Sequence, residues 1–161
     1  MAQPSITNKT VCIVGLGYVG HPLAEAFSHR IRTLGFDIDE KKIQSLQKTP
    51  SAILATSDPA RLRDADFIMI CVPTLLTPAN EPDLSCIRSA AKTIGANLKK
   101  GTVVILESTV YPGVTEEILR PILEQESGLV AGRDFKVGYS PERINPGDTE
   151  HVLSRTTKIV A

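Results

Sequence analysis

The sequence predicts an α/β fold in which a mainly parallel, doubly wound sheet carries helices on both faces. Short runs of β-branched and aliphatic residues recur at 11–14, 67–72 and 103–106. They are apolar at every position instead of alternate ones, as suits strands buried on both faces of a parallel sheet. Segments of helical period fill the gaps, and strands alternating with helices imply right-handed βαβ crossovers.

Taken in order, the strand at 11–14 leads into a helix on which Leu23, Ala24, Phe27 and Ile31 form the apolar stripe. Pro22 suits the first turn of that helix, where its missing N–H costs nothing. A weaker strand follows at 33–37. After the strand at 67–72, Pro73, Pro78 and Pro82 are too frequent for a helix and mark 73–82 as a loop. Ile87, Ala90, Ala91 and Ile94 define a second helix, and Val114, Ile118 and Ile122 a third. Glu116 and Glu117 favour the start of the third helix through its dipole, whereas Pro121 should kink or interrupt it. Residues 135–140 alternate as a further strand. Residues 158–161 read as a strand entering the core, a run in which a natural C-terminus seldom stops, so the chain is expected to be truncated.

The 161 residues carry 18 Lys and Arg against 18 Asp and Glu, with 42% hydrophobic and 22% charged residues. That is the composition of one ordinary globular domain. The balanced charge leaves no electrostatic footprint for nucleic acid or anionic lipid. No apolar run approaches the roughly 20 residues of a membrane span, and the polar N-terminus lacks the apolar core of a signal peptide. A cytoplasmic protein that binds neither nucleic acid nor membrane is therefore expected. Cys12 and Cys71 lie in apolar runs and read as inert core thiols, and neither they nor Cys86 forms a metal-site spacing with His21, His29 or His151. No metal is expected.

The chemistry shows first at the 11–14 strand, which is followed by Gly15-Leu16-Gly17-Tyr18-Val19-Gly20 and then a helix. In this Gly-x-Gly-x-x-Gly arrangement Gly15 permits the tight turn and Gly17 the approach of a pyrophosphate. Gly20 permits close helix packing, and the helix N-terminus faces the phosphates. Asp37 closes the next strand, where an acid accepts the ribose hydroxyls of a dinucleotide. Strand, glycines and acid together predict a Rossmann-type fold with a dinucleotide site. The acid repels a 2′-phosphate, so NAD is preferred over NADP. Lys42 reads either as a neighbour of that site or as part of a solvated helix face.

Three further segments follow strand ends and, in an open parallel sheet, face the same crevice. They are Val72-Pro73-Thr74, the segment from Glu107-Ser108-Thr109 to Gly113, and the segment from Tyr139 through Glu142 to Asp148. Their position makes Thr74, Ser108, Thr109 and Glu142 candidates. By spacing alone, Ser and Thr after strands also serve as caps, and Pro-Glu also ends a strand. Glu107 reads as a hydrogen-bonded strand-end group in preference to a general base.

In register, Gly-Leu-Gly-Tyr-Val-Gly, Phe36-Asp37-Ile38-Asp39, Cys71-Val72-Pro73-Thr74, Glu-Ser-Thr-Val-Tyr-Pro-Gly and Tyr139-Ser140-Pro141-Glu142-Arg143-Ile144-Asn145-Pro146-Gly147 resemble the UDP-glucose/GDP-mannose dehydrogenase family, the nucleotide-sugar 6-dehydrogenases. The Ser-Pro-Glu-Arg-Ile-Asn-Pro-Gly-Asp string is most similar to the branch acting on UDP-N-acetylhexosamines for surface polysaccharide. The resemblance covers residues 9–161 as an NAD-binding domain, with 1–8 as a tail and the substrate-binding C-terminal domain absent.

The resemblance implies oxidation of the sugar C6 alcohol to the acid with two NAD molecules reduced, through a cysteine-bound thioester that water cleaves. It implies that Thr109 and Glu142 are catalytic, Thr109 positioning substrate or water and Glu142 acting as base or orienting the water. Gly15, Gly17, Tyr18, Val19, Gly20, Asp37, Lys42, Val72, Pro73, Thr74, Ser108, Thr109 and Glu142 would bind NAD, and Arg143 and Asn145 the UDP-sugar. The nucleophilic cysteine, a catalytic lysine and the dimer-forming helix would lie beyond Ala161. The full-length protein would be an oxidoreductase and a homo-oligomer, while this chain alone would bind NAD without turnover.

Two departures stand out: Leu75 and Leu76 follow Thr74 where the family usually has Pro-Thr-Pro, and His21 stands where an apolar residue is usual. Rival readings are a UDP-glucose or GDP-mannose enzyme, a non-catalytic dinucleotide-binding module, and a β-hydroxyacid dehydrogenase. The last would favour a Gly-rich substrate loop where this chain has Glu-Ser-Thr-Val-Tyr-Pro.

Overall fold

A computed structural model describes residues 6, 8–142 and 158–161. In chain order the elements are β1 (Thr10–Val14), α1 (Gly20–Ser28), β2 (Arg32–Phe36), α2 (Glu40–Lys48) and β3 (Ile53–Thr56). A short 3-10 turn (Pro59–Asp64) leads to β4 (Phe67–Ile70), β5 (Leu75–Leu76), β6 (Pro82–Asp83), α3 (Ser85–Gly95) and β7 (Val103–Leu106). A π-helical turn (Val114–Leu119), α4 (Arg120–Ser127) and β8 (Lys136–Tyr139) follow.

Six strands form one sheet in the order β3-β2-β1-β4-β7-β8, every neighbouring pair parallel. The order reverses direction between β1 and β4, the switch point where such sheets bind ligands beyond their strand ends. Register brings Phe36, Val14, Ile70, Leu106 and Tyr139 into one row across the sheet. The residues that follow them, Asp37, Gly15, Cys71, Glu107 and Ser140, therefore leave the sheet along a single edge.

Both faces of the sheet are covered, as the unbroken apolar runs require. Cys12, Val14, Leu34, Ile68, Ile70, Val104 and Leu106 pack on one side with Ile87, Ala91 and Ile94 of α3 and Leu123 of α4. Val11, Ile13 and Met69 point the other way, to Leu23 and Ala24 of α1 and Ile43 of α2. Cys12 and Cys71 are buried within these layers. Burial pushes the Cys12 thiol up to about 12. Cys71 is also pushed up, by burial and then by the nearby Glu107 carboxylate.

Several sequence-based expectations need correction. The loop at 73–82 contains a two-stranded ribbon, β5 antiparallel to β6, turned through Asn80 at φ 59°. Residues 158–161 do not enter the core: Ile159 and Val160 are exposed, and Ala161 exchanges both backbone hydrogen bonds with Tyr139 at 2.9 Å. That reciprocal exchange is an antiparallel pairing on the edge of β8.

The third helix is interrupted as Pro121 requires, but by widening instead of bending. Pro121 has no N–H for the carbonyl four residues back, and its ring crowds that carbonyl. The preceding turn opens to π geometry, with the Arg120 N–H donating to the Thr115 carbonyl five residues earlier. The extra residue moves deep burial from the expected Val114, Ile118 and Ile122 to Val114, Leu119 and Leu123, all at 0% exposure.

Candidate functional site

A crevice of about 650 Å³ runs along the edge where the strands end. Its walls include Gly15, Gly17, Tyr18 and Val19 after β1, Asp37 after β2, Lys42 on α2, and Val72, Pro73 and Thr74 after β4. Glu107, Ser108 and Thr109 after β7, and Glu142 after β8, complete them. Gly20 is the one described member of the expected set behind the wall. A Cβ there would overlap the Gly15 carbonyl, so its absence lets α1 start against β1. Arg143 and Asn145 lie outside the described residues.

The turn after β1 is fixed by Gly15, whose φ of 92° is left-handed and whose added Cβ would come 2.9 Å from the Cys71 carbonyl oxygen. At Gly17 the same Cβ meets no protein atom within 4 Å. The backbone there borders open crevice, the space a pyrophosphate needs at a helix N-terminus.

Asp37 is held firmly. Its Oδ2 accepts the Leu16 N–H at 2.9 Å and the Lys42 ammonium at 2.7 Å, and its Oδ1 accepts the Asp39 N–H at 3.0 Å. Burial raises its pKa, but the Lys42 and backbone hydrogen bonds and the Lys42 charge outweigh burial and hold the carboxyl below its ordinary range. With three donors already on the carboxylate, a ribose diol would share Oδ1 and engage Lys42 itself. Lys42 thus lines the crevice as well as presenting part of its side chain to solvent. Asp39 brings it there by capping α2, accepting the Lys41 and Lys42 N–H groups at 3.0 and 3.2 Å.

Ser108 and Thr74 stitch the neighbouring strand ends together. The Ser108 hydroxyl donates to the Val72 carbonyl at 2.6 Å, and the Thr74 hydroxyl to the Thr109 carbonyl at 3.0 Å. Neither caps a helix. Thr109 is exposed toward the crevice.

Beyond Ser108 the floor is ionic. Glu107 is buried, and its Oε2 accepts a hydrogen bond from Lys158, whose ammonium also lies 3.2 Å from Glu142 Oε2. Burial pushes the Glu107 carboxyl above its ordinary range; Lys158 opposes this and the Glu142 charge adds to it. Sequence reasoning missed Lys158, which stands apart from every motif. It also missed Ser85, Cys86, Ser89 and Thr93 on the crevice side of α3. The four-residue spacing of Ser85, Ser89 and Thr93 beside the apolar stripe was the available signal. Among the described residues no group of three or more His, Cys, Asp or Glu could hold a metal, and no helix is long and apolar enough to cross a membrane.

The family model described as "UDP-glucose/GDP-mannose dehydrogenase family, NAD binding domain" matches residues 9–57 and 52–161. Protein CapL of Staphylococcus aureus is 45% identical, the match covering 96% of this chain and 39% of that protein. UDP-N-acetyl-D-glucosamine 6-dehydrogenase of Salmonella typhi is 41% identical over 97% of this chain and 40% of its own length. The crystal structure of NDP-N-acetyl-D-galactosaminuronic acid dehydrogenase from Methanosarcina mazei Go1 superposes with a TM-score of 0.80 at 31% identity, over 86% of this chain and 35% of that one. The chain thus spans about two fifths of the length of the curated relatives it matches.

Proposed function

We propose, since this chain belongs to the UDP-glucose/GDP-mannose dehydrogenase family, that it is the cofactor half of a 6-dehydrogenase converting a UDP-N-acetylhexosamine to its uronic acid for surface polysaccharide. The domain is an NAD-binding domain. The observation that carries the reading is the meeting of a glycine turn, a β2 acid and the polar ends of β4, β7 and β8 around one crevice. The 41% identity to a UDP-N-acetyl-D-glucosamine 6-dehydrogenase supports the hexosamine class.

Bound NAD supplies the hydride acceptor. The chain's own residues bind and orient. Gly17, Tyr18 and Val19, which line the crevice at the start of α1, would offer backbone N–H groups to the pyrophosphate, while Asp37 and Lys42 would take the adenosine ribose. Thr74, Ser108 and Thr109, on the β4, β7 and β8 side of the switch point, would hold the second mononucleotide. There Thr109 orients the substrate or water by its hydroxyl, and Glu142 holds or takes the proton of the water that completes oxidation to the acid. The complete protein would work in the cytoplasm as a homo-oligomer.

The test is spectrophotometric. The complete protein with a UDP-N-acetylhexosamine should reduce two NAD per sugar and form the uronic acid. Absence of NAD reduction with every UDP-hexosamine and with UDP-glucose would end the enzymatic reading. The isolated chain should bind NAD in calorimetry without turnover.

A further inference from the structure

At the β7 and β8 end of the crevice, two carboxylates share one ammonium. The Glu107 side chain is fully enclosed, that of Glu142 is 6% exposed and that of Lys158 29%. Lys158 donates to Glu107 Oε2 and, at 3.4 Å, to the Ser140 carbonyl, and stands 3.2 Å from Glu142 Oε2. The Glu142 N–H donates to the Glu107 carbonyl at 3.3 Å. Glu142 is therefore tied to Glu107 twice, directly by its backbone and through Lys158 by its side chain.

As a device for stability this arrangement is poor. Two acids and one base leave a net negative charge in a place shielded from water, where apolar side chains of similar volume would serve as well or better. Among the described residues Glu107 Oε1 makes no hydrogen bond of good geometry. Both carboxylates border the crevice on the side assigned above to the reacting mononucleotide. A costly ion cluster at that place is explained by what it holds in position. Among the described residues the groups facing Lys158 are Glu107, Glu142, the Ser140 carbonyl and the Cys71 thiol, whose ionisation its charge favours.

We infer that Lys158 is a positioning residue that acts through Glu142: anchored on Glu107, its ammonium fixes the Glu142 carboxylate in the wall of the crevice. This rests on the reading of Glu142 as the group that handles the hydrolytic water. Lys158 itself is not among the residues that line the crevice.

Turnover of the complete protein with NAD and a UDP-N-acetylhexosamine tests it in four variants. Lys158→Met should lower kcat by roughly 10-fold or more, short of the ~10²- to 10⁴-fold loss of a general base, with KM nearly constant. Lys158→Arg should recover most of that loss. Lys158→Met combined with Glu142→Gln should be no slower than Glu142→Gln alone, since residues acting as a unit are not additive. An equal slowing by Lys158→Met in both backgrounds overturns the inference. So does an unslowed Lys158→Met beside a slow Glu142→Gln, which leaves the reading of Glu142 intact. Full turnover in Glu142→Gln removes that reading and this inference together.

A second measurement needs no activity. In the 161-residue chain, a carbon-13 titration of the Glu107 carboxyl should move upward in Lys158→Met and return in Lys158→Arg. An unmoved Glu107 means no bridge, and the inference falls whatever the turnover. If Lys158→Met does not fold, Glu107→Gln removes the anchor instead and should slow turnover without adding to Glu142→Gln. Additivity there overturns the inference.

Discussion

Asp37 and Glu107 leave the same edge of the sheet, one after β2 and one after β7, and each meets a lysine ammonium. They nevertheless titrate in opposite directions. Asp37 collects two backbone N–H groups besides Lys42, and these outweigh its burial. Glu107 is enclosed more deeply, has a second carboxylate beside it, and is pushed upward despite Lys158. Depth of burial first, then the donors and charges within reach, decide which acid is comfortable when charged. At the Asp37 end of the crevice the acid is thus stabilised in its charged form before any ligand arrives, whereas at the other end Glu107 is held against ionisation.

The largest effect expected from breaking this contrast is on stability. Lys158→Met leaves Glu107 enclosed without its cation and should cost about 3 kcal/mol at neutral pH, measured by urea denaturation, as for the removal of one partner of a buried pair. A loss below about 1 kcal/mol would place Glu107 in far better solvation than its burial implies. At the other end the larger effect should be on binding. Asp37→Ala should weaken NAD by about 1–3 kcal/mol in calorimetry if the ribose hydrogen bonds form. Unchanged affinity would remove Asp37 from the site.

The two acids should also bend the pH dependence of stability in opposite senses. Asp37 contributes stability that is fully present above its ordinary value of 3.8 and is lost as pH falls through its lower folded value. Glu107 keeps its proton longer in the folded chain than in the unfolded one, so stability declines as pH rises from 4.5 toward its raised folded value. Denaturation midpoints across this range should lose the acid limb in Asp37→Asn and the upper limb in Glu107→Gln. Interchanged limbs would reverse the assignment. The smallest effect belongs to Lys42→Met: with 38% of that side chain exposed, loss of its ion pair should cost stability less than about 1 kcal/mol.

Legibility in the sequence followed the same divide. The Gly15 and Asp37 half was readable because its parts are local: a glycine turn follows a strand, and an acid ends the next one. The runs of β1, β4 and β7 were equally plain, since strands buried on both faces have no polar positions to blur them. By contrast, α2 buries only Ile43 deeply and β3 only Ile53, so neither presents a stripe that periodicity detects. Leu75 and Leu76 pair as a ribbon within a proline-rich stretch that reads as loop. The ion cluster was illegible for another reason. Lys158 reaches Glu107 across 51 residues of sequence, and spacing carries no trace of such a meeting.

The wide turn at Val114–Leu119 joins two tasks that would otherwise compete. Its amino end follows the segment 107–113, whose first three residues border the crevice, and the helix it feeds seats Leu123 against the core. One additional residue works as a vernier between them, letting the approach to the crevice and the seating of the helix be set separately. Deleting a single residue there would rotate everything beyond it by about 100°, turning Leu123 off the core while leaving the crevice segment in place.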